Sequence, residues 1–168
     1  MESPDHRHAP QSPQSLIRGD SPSELTESDI YFLQANEHLD NGQASLAIDG
    51  YTHVIEMDPS NSVAYNNRGI AYRQVSDLEK AIADYTKAIQ LSPNYREAYT
   101  NRGLAFLDSA DYEAAIIDCN RAIELDPTFW YAYSNRGLAL WALGNRKAAV
   151  EDYAHVKELV ELHNHLSE

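Results

Sequence analysis

From residue 62 to residue 95, apolar and small residues fall into two runs with three- and four-residue steps: Tyr65, Gly69, Tyr72, then Leu78, Ala81, Ile82, Tyr85, Ala88, Ile89. Side chains at that spacing share one face of a helix, so the segment predicts two amphipathic helices. The break Val75-Ser76-Asp77 offers Ser76 or Asp77 as an N-cap for the second helix. Ser92-Pro93-Asn94 ends it, because proline disfavours helical geometry in the residue before it.

The same pattern recurs along the chain. Asn67-Arg68-Gly69 returns as Asn101-Arg102-Gly103 and Asn135-Arg136-Gly137, each time 34 residues on, and Pro59, Pro93 and Pro127 keep that interval. So do Ala47-Ile48, Ala81-Ile82, Ala115-Ile116 and Ala149-Val150. The chain thus divides into four frames, 28–61, 62–95, 96–129 and 130–163, flanked by residues 1–25 and a short C-terminal tail at 164–168. A period of this size marks an array of one supersecondary unit. Small residues such as Gly69, Ala81 and Ala88 let the two helices of a unit approach closely, and Tyr65, Tyr72 and Tyr85 fill the space beside them.

The aromatic near each frame's start (Tyr31, Tyr65, Tyr99, Tyr133), the small residue four later (Ala35, Gly69, Gly103, Gly137) and the later Ala81, Tyr85, Ala88 and Pro93 resemble the signature of tetratricopeptide repeat proteins. The resemblance covers residues 28 to about 163. It implies an all-α fold, a right-handed superhelical solenoid of four antiparallel helix pairs, preceded by a disordered N-terminal tail. Two departures stand out: Cys119 replaces the tyrosine of Tyr51, Tyr85 and Tyr153, and Glu161 stands where proline is expected in the last frame. Cys119 is read as a buried apolar residue.

In that family the first helix of each pair lines a concave groove. The resemblance places Asn36, Asn67, Asn101, Asn135, Arg73, Leu104, Leu138, Tyr131 and Trp141 on it, with Tyr131 and Trp141 as aromatic anchors. Asparagine carries donors and an acceptor, so a row of them suits an extended peptide backbone. The same asparagines also fit a polar helix face beside a tight glycine. The family's two-carboxylate clamp for chaperone C-termini uses lysine, asparagine, asparagine, lysine and arginine; here those positions read Phe32, Asn36, Asn67, Glu97 and Asn101. Without the cations two asparagines do not hold two carboxylates, which disfavours a heat-shock co-chaperone role.

Composition narrows the partner. Residues 1–25 hold four of the seven prolines and few large aliphatics, too little to bury, so a solvated tail is expected. Net charge is −13, which disfavours nucleic acid and anionic membranes. The first frame has six acidic residues and no Lys or Arg, favouring a basic or neutral peptide there or simply a solvated acidic surface. No run is long enough for a membrane span, no secretory signal is visible, and one cysteine permits no internal disulfide, so a cytoplasmic protein is expected. His6/His8 and His163/His165 lack partners at metal-site spacing, and no phosphate loop, HExxH or GxSxG occurs. No catalytic residue, metal or cofactor is expected.

Two expectations concern contacts. Arg68, Arg102 and Arg136 each precede an aspartate by 16 residues (Asp84, Asp118, Asp152), predicting an ion pair between the helices of a unit. In the last frame Lys157 replaces Ile55, Ile89 and Ile123, a partial cap, while Val156, Leu159, Val160, Leu162 and Leu166 leave an apolar set suited to self-association. The leading functional reading is a non-catalytic adaptor that binds a partner's peptide segment in the groove. The alternative is a self-assembling structural protein that uses the last helix as a homo-oligomer contact.

Overall fold

The computed structural model describes residues 25–166, which form eight helices and no strand. These are α1 (Glu27–Asp40), α2 (Ala44–Met57), α3 (Ser62–Gln74), α4 (Leu78–Leu91), α5 (Arg96–Asp108), α6 (Tyr112–Leu125), α7 (Trp130–Ala142) and α8 (Arg146–Leu166). Apart from Leu25, the tail expected to be disordered lies outside the described residues, as do His6, His8 and the side chains of His165 and Leu166. Helix α8 continues through residues 164–166, which were expected as tail. No helix among the described residues is long and apolar enough to cross a membrane.

Two compact units divide the described chain, residues 25–92 with α1–α4 and residues 93–166 with α5–α8. In the N-terminal unit α1 packs on α2, α2 on α3 and α3 on α4; in the C-terminal unit α5–α8 repeat that order. Side chains close several helix starts: Asp77 Oδ1 accepts from Lys80 N, Asp111 Oδ1 from Ala114 N and Asn61 Oδ1 from Ala64 N. Thr26 and Asp29 form a reciprocal capping box at α1. Between the helices of every pair one residue takes a left-handed backbone: Gly42 (φ 72°), Ser76 (63°), Ala110 (60°) and Gly144 (82°), 34 residues apart. Only glycine adopts that conformation without cost, so Ser76 and Ala110 hold it under strain.

Packing inside a pair depends on the small residues seen in the sequence. A Cβ on Gly69 would stand 2.7 Å from Tyr85 Cε1, and one on Gly137 2.9 Å from Tyr153 Cε1. In the pair α5/α6, Cys119 Sγ takes the place of the ring, 3.2 Å from a Cβ built on Gly103. Burial pushes that thiol well above its ordinary range, in keeping with a core role.

The 16-residue spacing of arginine and aspartate is a contact. Arg68 Nε and Nη2 donate to Asp84 Oδ2 and Oδ1 at 2.7 and 2.9 Å, Arg102 does the same to Asp118 at 2.7 and 2.8 Å, and Arg136 to Asp152 at 2.9 and 2.6 Å. Each fork is bidentate and each aspartate is buried. The hydrogen bonds they donate to aspartate hold the guanidinium groups more basic than usual, whereas burial raises the Asp118 carboxyl despite its arginine. Each arginine also lies over an aromatic of its own helix, Arg68 over Tyr65 at 5.5 Å and Arg136 over Tyr133 at 5.3 Å.

Candidate functional site

The first helix of each pair carries the residues expected to meet a ligand, and burial separates them into two layers. Asn67, Asn101 and Asn135 are 4%, 1% and 5% exposed, so they form floor rather than surface. Asn66, beside Asn67, is fully buried as well. In the N-terminal unit the floor is a hydrogen-bonded chain: Asn66 Nδ2 donates to Asn67 Oδ1 (3.1 Å), Asn67 Nδ2 to Asn36 Oδ1 (3.2 Å), and Tyr51 Oη to the same Asn36 oxygen (2.6 Å). Burial raises the Tyr51 phenol far above its usual range, so it stays a donor. In the C-terminal unit Asn135 Nδ2 reaches the Thr100 carbonyl at 3.4 Å, tying α7 to α5.

This network changes what the asparagines offer. A buried amide must be satisfied internally, and these bond one another and their neighbours within the protein. Asn36 is the half-buried member, and its oxygen accepts from both Tyr51 and Asn67. What it offers a ligand is its amide N–H, which suits a carbonyl or carboxylate oxygen rather than both halves of a peptide unit.

The exposed layer is apolar and concentrated on α7. Leu138 and Trp141 are 37% and 45% exposed and lie one turn apart. Tyr131, Ser134, Asn135, Leu138 and Trp141 fall on one stripe of α7, so the two exposed residues continue the buried Ser134/Asn135 floor. The Arg146 guanidinium sits 3.8 Å from the Trp141 ring centroid and holds the indole against the start of α8. Tyr131 is half-buried and stacked on Trp130 at 3.6 Å. Two expected groove residues differ from this: Leu104 is buried in the core, and Arg73 is half-buried at the end of α3. Leu104 shares its repeat position with Leu138, but α7 packs on the flank of α5, whereas no further first helix comes after α7 among the described residues.

The apolar set expected on the last helix is split in the same way. Val156, Leu159 and Val160 are half-buried and Leu162 is exposed. Val150 and Tyr153, which the residue pattern alone did not single out, are exposed too. Comparison of repeat positions could have found them, because Val150 comes after Ala149 as Ile116 comes after Ala115. The six acidic side chains of residues 28–61 all face solvent. Among the described residues no group of three or more His, Cys, Asp or Glu side chains could hold a metal ion.

These features define a class, the helix-pair repeat proteins, in which one two-helix unit recurs along the chain. The tetratricopeptide repeat profile matches residues 62–95, 97–129 and 131–159, so the chain belongs to the tetratricopeptide repeat family. No curated protein sequence matches it. Among solved structures it is similar to MamA, with 25% identity and a TM-score of 0.76 over 82% of this chain and 81% of that one. The first repeat domain of Spaghetti (RPAP3), solved bound to the HSP90 peptide SRMEEVD, is 29% identical with a TM-score of 0.68, covering 72% of this chain and 96% of that one. The Arabidopsis OM64 repeat domain is 26% identical with a TM-score of 0.65, covering 67% and 93%. The fold is thus an all-α helical repeat of a kind that scaffolds protein interactions.

Proposed function

We propose that the chain is a non-catalytic interaction scaffold of four repeats, 28–61, 62–95, 96–129 and 130–163, that binds an extended segment of a partner protein along its first-helix face. The single observation that carries this reading is the exposed Leu138/Trp141 pair on α7, set beside a floor of buried, satisfied polar groups. An aromatic and an aliphatic side chain one turn apart form a hydrophobic anchor, and a rigid polar floor costs a ligand little reorganisation. In the N-terminal unit the Asn36 amide would hold a backbone carbonyl of the same class of ligand.

The favoured ligand is neutral or basic with an apolar side chain for Leu138 and Trp141. The peptide bound by RPAP3 ends in EEVD, and this chain has Phe32 and Glu97 at two of the cationic clamp positions and a net charge of −13. An acidic peptide therefore meets repulsion here rather than a clamp. The reading assigns the chain to the cytoplasm, where its lone buried thiol stays reduced.

Peptide-display selection on the wild-type chain, followed by titration monitored through Trp141 fluorescence in a Trp130→Phe background, tests the proposal. Selected peptides should carry an aromatic or aliphatic anchor, shift the emission to the blue, and lose about tenfold or more in affinity with Leu138→Ala/Trp141→Ala. Unchanged affinity in that double variant, with helicity intact, defeats the assignment of the anchor.

A further inference from the structure

Repeat equivalence shows which surface of α8 has no neighbour among the described residues. On α6, which α7 packs on, Arg136 of α7 donates to Asn120 Oδ1 at 2.7 Å, and the helical spacing puts Ile116, Cys119 and Ile123 on the same side as Asn120. The same positions on α8 are Val150, Tyr153, Ala154 and Lys157. Cys119 is fully buried, yet Tyr153 is 36% and Val150 56% exposed.

Two occupants fit poorly. A further repeat would enter after a proline turn, as α7 enters after Pro127, but α8 is helical through Glu161 and on to Leu166. Helix α1 of a second copy would place Gln34 where Arg68 bonds Thr52 and Arg136 bonds Asn120. It would also bring Ile30 and Glu37 to the stripe where α3 has Ala64 and Ala71 and α7 has Ala132 and Ala139, all fully buried. A bulky aliphatic and a charge in place of two buried alanines block a head-to-tail joint.

The charges on the open face of α8 point to another occupant. Lys147, Glu151, Ala154, Lys157 and Glu161 lie on one stripe, all exposed. Lys147 and Glu161 stand seven residues either side of Ala154, and Glu151 and Lys157 stand three. Reversed end to end, the stripe reads minus, plus, small, minus, plus: it complements itself. Within one helix these residues give Lys-before-Glu pairs at four residues, the poorer orientation, and Lys157 Nζ reaches Glu161 at only 3.8 Å.

We infer that α8 pairs antiparallel with α8 of a second copy about a two-fold axis at Ala154, with Lys147 facing Glu161 and Glu151 facing Lys157 across the interface. Ala154 permits close approach at the axis, and Val150 and Tyr153 supply the apolar area. The contact is isologous and closes at two copies. A parallel pairing would set Lys147 against itself. One helix face makes a small interface, so the dimer is weak, with dissociation in the range of about ten to several hundred micromolar.

Sedimentation equilibrium of the full chain across that range in low salt tests this. The mass should rise from 18.9 kDa toward a dimer and stop there. Lys147→Glu and Glu161→Lys should each weaken dimerisation about tenfold or more, and the two together on one chain should restore it, because the swapped charges again face each other. All these side chains are exposed, and retained helicity by circular dichroism verifies folding. A monomer at every concentration, growth beyond a dimer, or a double variant no better than the singles overturns the inference. Peptide capture at Leu138/Trp141 should be unaffected by these changes, so the two proposals fail separately.

Discussion

Arg102→Ala should destabilise the fold by an amount that depends on pH, because of what it leaves behind. Arg102 spans α5 and α6 through two bonds of 2.7 and 2.8 Å to a carboxylate whose side chain is 4% exposed. Deleting the arginine strands that carboxylate without its counter-charge, and breaking such a buried pair from one side costs about 3–5 kcal/mol. The protein escapes part of this by protonating Asp118. Burial already raises the Asp118 pKa with Arg102 present, and Arg102 is what opposes the rise, so its removal lifts the folded-state value further. A carboxyl with a raised folded pKa contributes stability that is present below its unfolded pKa and lost as pH climbs through the folded one. The deficit of the variant against wild type should therefore be small near pH 4 and grow to its full size by pH 7. Urea unfolding of both proteins at pH 4, 5.5 and 7, monitored by circular dichroism, gives the comparison. A penalty below about 1 kcal/mol at pH 7, or one that does not change with pH, refutes the idea that the pair is a buried clasp. Replacing both members, Arg102→Leu with Asp118→Leu, should recover most of the loss, since a well-packed apolar pair carries no stranded charge.

Further substitutions probe other features. Gly69→Ala drives a methyl to 2.7 Å from the buried Tyr85 ring and should cost about 1–3 kcal/mol in chemical denaturation, whereas Gly103→Ala meets Cys119 Sγ at 3.2 Å and the Ala115 carbonyl oxygen at 3.4 Å, has no ring to displace, and should cost less, its milder crowding partly offset by better helix propensity; equal losses would deny the ring its role. Ala110→Gly should raise stability by about 0.5–1 kcal/mol, measured the same way, because its φ of 60° is strained for alanine; a loss would show that the turn is not under strain. Cys119 should resist iodoacetamide in the native protein and react fully in urea, and rapid native labelling would contradict its burial.

The repeat made much of the fold legible. Helix pairs, their proline breaks and the arginine–aspartate clasps can all be read from residues recurring 34 apart, since a contact that recurs leaves its partners in phase. The left-handed turn position was missed because Ser76 and Ala110 do not advertise it; only Gly42 and Gly144, at the same repeat position, betray the geometry. Burial of the asparagines was hidden for another reason. A polar side chain in a helical pattern reads as surface, and only the neighbouring helix decides whether it is covered. Leu104 and Leu138 make the point, since one repeat position is buried beside α7 and exposed on α7 itself.

That dependence on the neighbouring helix also explains where the chain is free to act. An interior helix of a repeat array has both flanks occupied, so its residues are constrained to small or self-satisfying side chains, as in the alanines beside Arg136 and the Asn66–Asn67–Asn36 chain. The last described pair keeps surface that the repeat elsewhere consumes. Leu138 and Trp141 on α7, and Val150, Tyr153 and the alternating charges on α8, occupy positions that an additional unit would cover. The substitutions in this pair do not simply make the surface polar: Lys157 replaces an isoleucine, but Val150 keeps an aliphatic where the other frames have isoleucine, and Tyr153 repeats Tyr51 and Tyr85. Tyr153 packs one edge of its ring against Gly137 within the pair and leaves the rest exposed beside a self-complementary row of charge, which is the apolar area the proposed α8 contact would cover.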